Sequence, residues 1–167
     1  MVLMPVFDAR RYLEAVTAYH CTTLSGVPTM FALMAALPPE TRPTGLDSVR
    51  TVSLGSAPLS DALLAQIRAL FPSAEISNGY GSTEAGPAVF GPHPDGLPRP
   101  PLSIGYPRPR VDWRLVDGAD PDQGRLQLRT PAVAEGYLNR PEATEEKFVD
   151  GWFDTGDIPV SYTHLTL

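Results

Sequence analysis

The chain has 167 residues, of which 43% are hydrophobic and 19% charged, and its formal net charge is −6. This length suits one ordinary domain or part of a larger one, and the composition excludes a disordered chain. No apolar run is long enough to span a membrane, no basic stripe exists to replace the counterions of a nucleic acid, and Cys21, the sole cysteine, excludes internal disulfides and cysteine-rich metal sites.

The apolar start through Phe7 gives way to Asp8 and Arg10-Arg11 too soon for a secretory signal core, so a reducing, cytoplasmic setting is the simplest expectation. Residues 2–4 read as a strand end. Asp8 is placed to cap a helix with Tyr12, Leu13, Val16 and Tyr19 on one side. Residues 22–24 read as the next strand, and Pro28 fits the first turn of a helix carrying Met30, Phe31, Leu33, Met34 and Leu37. Pro38-Pro39 ends that helix. Residues 49–54 form a compact β-branched run, again a strand. Ser60 caps the clearest helix, with Leu63, Leu64, Ile67, Leu70 and Phe71 at helical spacing and Pro72 as its stop. A short strand follows at 75–77. Strands alternating with helices predict βαβ units and a parallel sheet.

Eight of the 19 prolines fall between Pro87 and Pro109, which marks an extended, hydrogen-bond-poor connection. His93 lies within it, where exposure is the default. Beyond it the pattern changes: residues 111–116 and 125–129 alternate apolar and polar positions, with turns at Asp117-Gly118 and Gly124. Residues 142–149 show helical spacing, and 152–158 return to extended chain. The expected fold is therefore α/β: a parallel sheet with flanking helices over residues 1–90, a proline-rich connection over 91–101, and a small antiparallel, β-rich, distorted-barrel subdomain over 102–158.

In open parallel sheets, ligands bind beyond the carboxyl ends of the strands. Two glycine-containing turns occupy such ends, Gly55-Ser56-Ala57-Pro58 and Gly79-Tyr80-Gly81. Neighbouring strands would bring them to about 5 Å of each other. Taken alone, the first turn reads as a plain strand-to-helix connection. The second reads either as a connection or as a nucleotide turn, because Tyr80, Thr83 and Glu84 are larger and more polar than a connector needs. Other motifs fail: Glu84 occupies the third glycine position of a dinucleotide fingerprint, and no Gly-x-x-x-x-Gly-Lys loop or Gly-x-Ser-x-Gly elbow occurs. His20, His93 and His164 are scattered without a partner pattern.

In order and spacing, five motifs resemble the adenylate-forming superfamily of acyl-CoA synthetases, adenylation domains and luciferases, over a stretch from about Met1 to Ile158. Val27-Pro28-Thr29 looks like the segment bordering that family's acyl pocket. Gly55-Ser56-Ala57-Pro58-Leu59 resembles its Gly-Gly-Ala-Pro-Leu turn, with Ser56 in place of the second glycine. Gly79-Tyr80-Gly81-Ser82-Thr83-Glu84 is similar to its Tyr-Gly-x-Thr-Glu signature. Ser103-Ile104-Gly105-Tyr106-Pro107 corresponds to the glycine motif that follows, and Gly136-Tyr137 with Trp152 through Asp157 resembles its Gly-Tyr…Trp…Thr-Gly-Asp segment. The resemblance implies an enzyme that activates a carboxylic acid with ATP to an acyl-adenylate and passes it to coenzyme A. It implies that Tyr80 stacks on adenine, with Gly79 along the base and Gly81 beside it. Thr83 would bind the α-phosphate, Glu84 would help hold Mg²⁺, and Asp157 would take the ribose hydroxyls. Gly55, Ser56 and Ala57 would border the adenine and the acyl group. Residues 85–90 would border an apolar pocket suited to a fatty or aryl acid.

The family also carries a Ser/Thr/Gly-rich loop ending in lysine, and a C-terminal domain with a catalytic lysine. Lys147 is the only lysine here, against twelve arginines, and it precedes Asp157, so it matches neither. The expectation is that Met1 follows the phosphate loop and that the chain alone is inactive. The alternatives are a non-catalytic fragment with at most weak nucleotide binding, or a piece of a peptide-synthetase-type adenylation domain. Residues 159–167 depart from the family pattern and read as a non-native tail, and no function is assigned to His164.

Overall fold

Two compact units, Met1–Asn78 and Gly79–Leu167, are built around sheets of different kinds. The computed structural model describes residues 1–119, 122–161 and 165–166. In the first unit, Asp8 opens helix α1 (Ala9–Ala18) by accepting the Arg11 backbone N–H at 2.8 Å. Leu13 and Val16 are its buried positions. Tyr19 does not share that face; it is exposed, because the helix ends at Ala18 and Tyr19 is its C-cap. Strand β1 (Thr23–Gly26) leads into α2 (Pro28–Ala35), where proline sits at a position whose N–H has no helical partner. Phe31 and Met34 are fully buried, whereas Leu33 is exposed. Two 3-10 turns, Pro39–Thr41 and Leu46–Ser48, precede β2 (Thr51–Leu54). Ser60 caps α3 (Asp61–Leu70) by accepting the Leu63 N–H at 3.3 Å, and Leu64, Ile67 and Leu70 form its buried face.

Strand β3 (Glu75–Asn78) completes a parallel sheet of order β1-β2-β3. Gly26 lies opposite Leu54 and Leu54 opposite Asn78, so all three strands end along one edge. Val52 and Leu54 are buried, while the alternate residue Ser53 is half-buried and shares a hydrogen bond with the Ser77 hydroxyl at 3.3 Å. Phe31 and Phe71 meet edge-on with 6.5 Å between ring centroids. Residues 2–4, expected as a strand end, form no strand, and Val2 and Leu3 are exposed. Strand β1 pairs only with β2, so this segment has no ladder to hold it extended.

The second unit begins with a loop that folds back through the Ser82–Gly86 bridge and a Val89 N–H to Tyr80 carbonyl bond of 3.1 Å. Strands β4 (Phe90–Gly91) and β5 (Tyr106–Pro107) pair antiparallel across the proline-rich segment. That segment is more than a spacer, since Ile104 packs into a core with Val89, Phe90 and Ala85. His93 is half-buried rather than fully exposed: its ring sits edge-on to Tyr106 at 4.7 Å, and its Nδ1 accepts the Asp95 N–H at 3.1 Å.

Strands β6 (Asp112–Val116) and β7 (Arg125–Arg129) follow in register. Alternation along β7 buries Leu126 and Leu128 completely and turns Arg125, Gln127 and Arg129 the other way. Helix α4 (Pro141–Lys147) stops two residues before its helical spacing does. Phe148 and Val149 instead form β8 (Phe148–Val149), paired with β9 (Trp152–Asp154), so strand pairing overrides helical periodicity there. The resulting sheet, of order β6-β7-β9-β8, does not close into a barrel among the described residues. Strands β10 (Val160–Ser161) and β11 (Leu165–Thr166) pair antiparallel, and His164 lies outside the described residues. Among the described residues, no helix is long and apolar enough to cross a membrane.

Ile67 has 0% exposure in the first unit's core, and Arg68 beside it is exposed. Ile67→Ala is expected to lower the unfolding free energy by about 2–5 kcal/mol in urea titrations. Arg68→Ala should change it by less than about 0.5 kcal/mol.

Candidate functional site

The sequence-predicted residues divide between the two units. Gly55, Ser56 and Ala57 belong to the first, in the turn that leaves the carboxyl end of β2. Ser56 has φ +66°, in the left-handed region, where a serine side chain is disfavoured by about 1–2 kcal/mol. Gly79, Tyr80, Gly81, Thr83, Glu84 and Asp157 all belong to the second unit.

Within the second unit the structure brings Tyr80 and Asp157 together. The Tyr80 hydroxyl donates to Asp157 Oδ2 in a short hydrogen bond. The Tyr80 ring is half-buried and packs edge-on against Phe90, with 5.8 Å between centroids. Burial raises the pKa of the phenol well above its ordinary value. The Asp157 hydrogen bond raises it further, the Thr155 hydroxyl opposes this, and the Asp157 and Glu84 charges add to the rise. Gly81 is required by space: a Cβ there would lie 2.4 Å from the Pro87 carbonyl carbon and 2.5 Å from the Gly86 oxygen. Thr83 is exposed, with its side chain toward solvent.

Glu84 is held by a second arrangement. Its Oε1 accepts the Tyr137 hydroxyl at 2.9 Å, and its carbonyl accepts the Ala134 N–H at 2.7 Å. Burial alone would raise the Glu84 pKa, but it is outweighed by hydrogen bonds from its own backbone, Tyr137 and Ser82, so the carboxyl titrates below its usual range. Tyr137 is fixed in turn by Thr144, whose hydroxyl accepts the Tyr137 N–H at 2.9 Å. That approach needs Gly136, where a Cβ would meet Thr144 Cγ2 at 2.4 Å. Of residues 85–90, Ala85, Val89 and Phe90 are packed in the core, which leaves Pro87 and Ala88 as the exposed side chains of that segment.

Several supporting residues escaped the sequence reading. Asp154 is 6% exposed, takes an ion pair from Arg125 at 2.7 Å, and accepts the Gly156 N–H at 3.0 Å. Thr155 donates its hydroxyl to the Leu126 carbonyl at 2.9 Å and accepts the Asp157 N–H at 3.0 Å. Both lie inside the quoted Trp152-to-Asp157 segment, where only the terminal aspartate had drawn a role. Tyr137 also stood in a quoted motif, but nothing in sequence spacing ties residue 137 to residue 84. Among the described residues, no three His, Cys, Asp or Glu side chains gather into a metal site.

A parallel three-stranded layer with flanking helices, followed by a small antiparallel sheet with the Tyr80–Asp157 pair and a tethered glutamate, is an adenylate-forming enzyme fold. The AMP-binding enzyme family matches residues 1–138, and the chain belongs to that family. It is 36% identical over 163 residues to feruloyl-CoA synthase from Amycolatopsis sp, covering 95% of this chain and 33% of that protein. It is 33% identical over 168 residues to 4-coumarate--CoA ligase 1 from Arabidopsis thaliana, covering 95% of this chain and 30% of the relative. Its structure is similar to that of the amide bond synthetase McbA from Marinactinospora thermotolerans, with a TM-score of 0.78 at 27% identity, covering 98% of this chain and 34% of that one. The chain thus spans about a third of the length of these proteins.

Ser56→Gly is expected to stabilise the chain by about 0.5–1 kcal/mol in urea titrations, since relief of left-handed strain exceeds the added freedom of the unfolded glycine. Tyr137→Phe removes a donor to a charged carboxylate and should cost about 1 kcal/mol at pH 7 after solvent screening. Because the folded pKa of Glu84 is depressed, its contribution is present above the unfolded carboxyl pKa and is lost as pH falls through the folded one. Denaturation of wild type and Tyr137→Phe at falling pH should show the gap between them shrinking below the ordinary glutamate range.

Proposed function

We propose that this chain is the part of an AMP-forming acid–thiol ligase that holds the adenosine of ATP and of the acyl-adenylate. The observation that carries this reading is the Tyr80–Asp157 pair, which joins an aromatic face to an exposed carboxylate. The Tyr80 ring stacks on adenine, with Gly79 and Gly81 letting the backbone run close to the base, and Asp157 accepts from the ribose hydroxyls. Thr83 offers its free hydroxyl to the α-phosphate.

A carboxylate oxygen of the acid attacks the α-phosphorus, and the bond to the pyrophosphate oxygen breaks. The thiol of coenzyme A then displaces AMP to leave a thioester. Such catalysis is chiefly positioning and neutralisation of charge on phosphate oxygens. Mg²⁺ held at Glu84 would supply part of that neutralisation. The aromatic acids in the names of the coumarate and feruloyl relatives favour an aryl acid over a fatty one.

On its own the chain is proposed to be catalytically silent. Lys147 sits on α4 with its ammonium 3.3 Å from Glu146, and the chain spans about a third of its relatives. Pyrophosphate release from ATP with mixed aryl and fatty acids should therefore stay at background. Calorimetric titration with AMP should show binding that weakens about tenfold or more in Asp157→Ala, a change of about 1.4 kcal/mol or more. Absence of heat at millimolar AMP would sink the adenosine site, and turnover abolished by Asp157→Ala would sink the claim of silence.

A further inference from the structure

We propose that the Tyr80 hydroxyl is a positioning group that fixes the Asp157 carboxylate for a ribose diol, so that the stacking ring and the sugar acceptor work as one unit. The inference rests on the adenosine site proposed above. An exposed aspartate on a surface turn ordinarily turns about its side-chain bonds, and a ligand that needs it must first still it. Here the backbone of Asp157 is already held: its carbonyl accepts the Leu126 N–H at 2.8 Å, and its N–H donates to Thr155 Oγ1 at 3.0 Å. What remains free is the side chain, and Tyr80 takes one of its two oxygens.

The second oxygen, Oδ1, accepts no hydrogen bond among the described residues. An ionised carboxylate has about four acceptor positions, so occupation of Oδ2 by one phenol leaves room for the hydroxyls of a diol. The phenol is itself anchored, because its ring packs edge-on against Phe90, which is buried in the core of the second unit. Burial and the Asp157 bond keep the phenol protonated at neutral pH, so it remains a donor throughout. Position therefore passes from the core through Phe90 and Tyr80 to Asp157 Oδ1. Stacking alone would need only the ring, and phenylalanine would serve as well. The hydroxyl is needed only if the carboxylate has to point one way.

The test uses the full 167-residue chain. Calorimetric affinities are measured for AMP and for 2′,3′-dideoxyadenosine monophosphate with wild type, Tyr80→Phe, Asp157→Ala and the double variant. Wild type should prefer AMP by about tenfold or more. Tyr80→Phe should bind the dideoxy nucleotide like wild type and lose most of the preference for AMP, and adding it to Asp157→Ala should cost nothing further. In the free chain, the Tyr80 ζ-carbon resonance, assigned by its loss in Tyr80→Phe, should shift in Asp157→Asn. If Tyr80→Phe keeps the wild-type preference or binds AMP more tightly, the positioning role is overturned while the adenosine site stands. If wild type binds neither nucleotide, the adenosine site falls and the inference with it.

Discussion

The Leu126 side chain is sealed in the core of the second unit, while its backbone holds the turn that carries Asp157. Its N–H donates to the Asp157 carbonyl at 2.8 Å, and its carbonyl accepts both the N–H of Thr155 at 3.1 Å and the Thr155 hydroxyl at 2.9 Å. Strand β7 is also hydrogen-bonded to β6 on one side and to β9 on the other. Asp157 is therefore an extension of a central strand, reached three residues after the β9 ladder ends. Displacing it would mean breaking sheet hydrogen bonds around a fully buried leucine. Asp154 strengthens the same turn, since its buried charge is met by Arg125 at 2.7 Å and by the Gly156 N–H.

Glu84 depends on the same pair of strands by a longer route. Tyr137, which donates to Glu84, rests against Phe148 at 5.3 Å, and Phe148 against Phe153 at 5.1 Å. Phe153 lies opposite Leu128 on β7. Backbone bonds on both sides hold Asp157, while Glu84 is steadied by the Ala134 N–H at its carbonyl and, through the Tyr137 hydroxyl, by a row of aromatic rings. The aromatic route has more rotatable bonds, and it is restrained where Thr144 accepts the Tyr137 N–H beside Gly136.

Local chemistry was legible in the sequence, and long-range contacts were not. Ser60 and Asp8 cap their helices as their positions predict, because a cap needs only three residues and one hydrogen bond. The parallel order of β1, β2 and β3 follows from alternation with helices, and Leu126 and Leu128 follow from a two-residue period. The failures are places where a partner decided the outcome. Residues 2–4 had strand composition but no ladder, and Phe148-Val149 had helical spacing but a hairpin partner. Ile104, just past the proline-rich connection, fills the core although no periodicity marks it as buried. Tyr80, Glu84 and Asp157 stand out in the sequence through motif order. The bonds Tyr80–Asp157 and Tyr137–Glu84 span 77 and 53 residues, separations that no local pattern encodes.

Charge bears on which half of a nucleotide the proposed site would favour. The groups it offers are acceptors and hydroxyls: Asp157, Glu84, Thr83 and Tyr80. Three of its guanidinium groups, those of Arg114, Arg125 and Arg129, are engaged by other side chains. Arg125 is bound by Asp117 and Asp154, and this raises its already high pKa. Arg129 pairs with Asp112 at 2.9 Å, and it and Arg114 flank the Trp152 ring at 4.7 and 4.3 Å. A phosphate brought within 4 Å of a bare carboxylate would meet repulsion of about 4 kcal/mol at an effective dielectric constant of about 20. Adenosine carries no such charge, so a stacking ring and a fixed carboxylate suffice for it. The polyphosphate needs a cation placed between it and Glu84, and further positive charge that the lone, Glu146-paired Lys147 does not provide. Recognition of the nucleoside and activation of the phosphate are thus separable demands on the proposed site, and the fixed Asp157 carboxylate bears on the first of them.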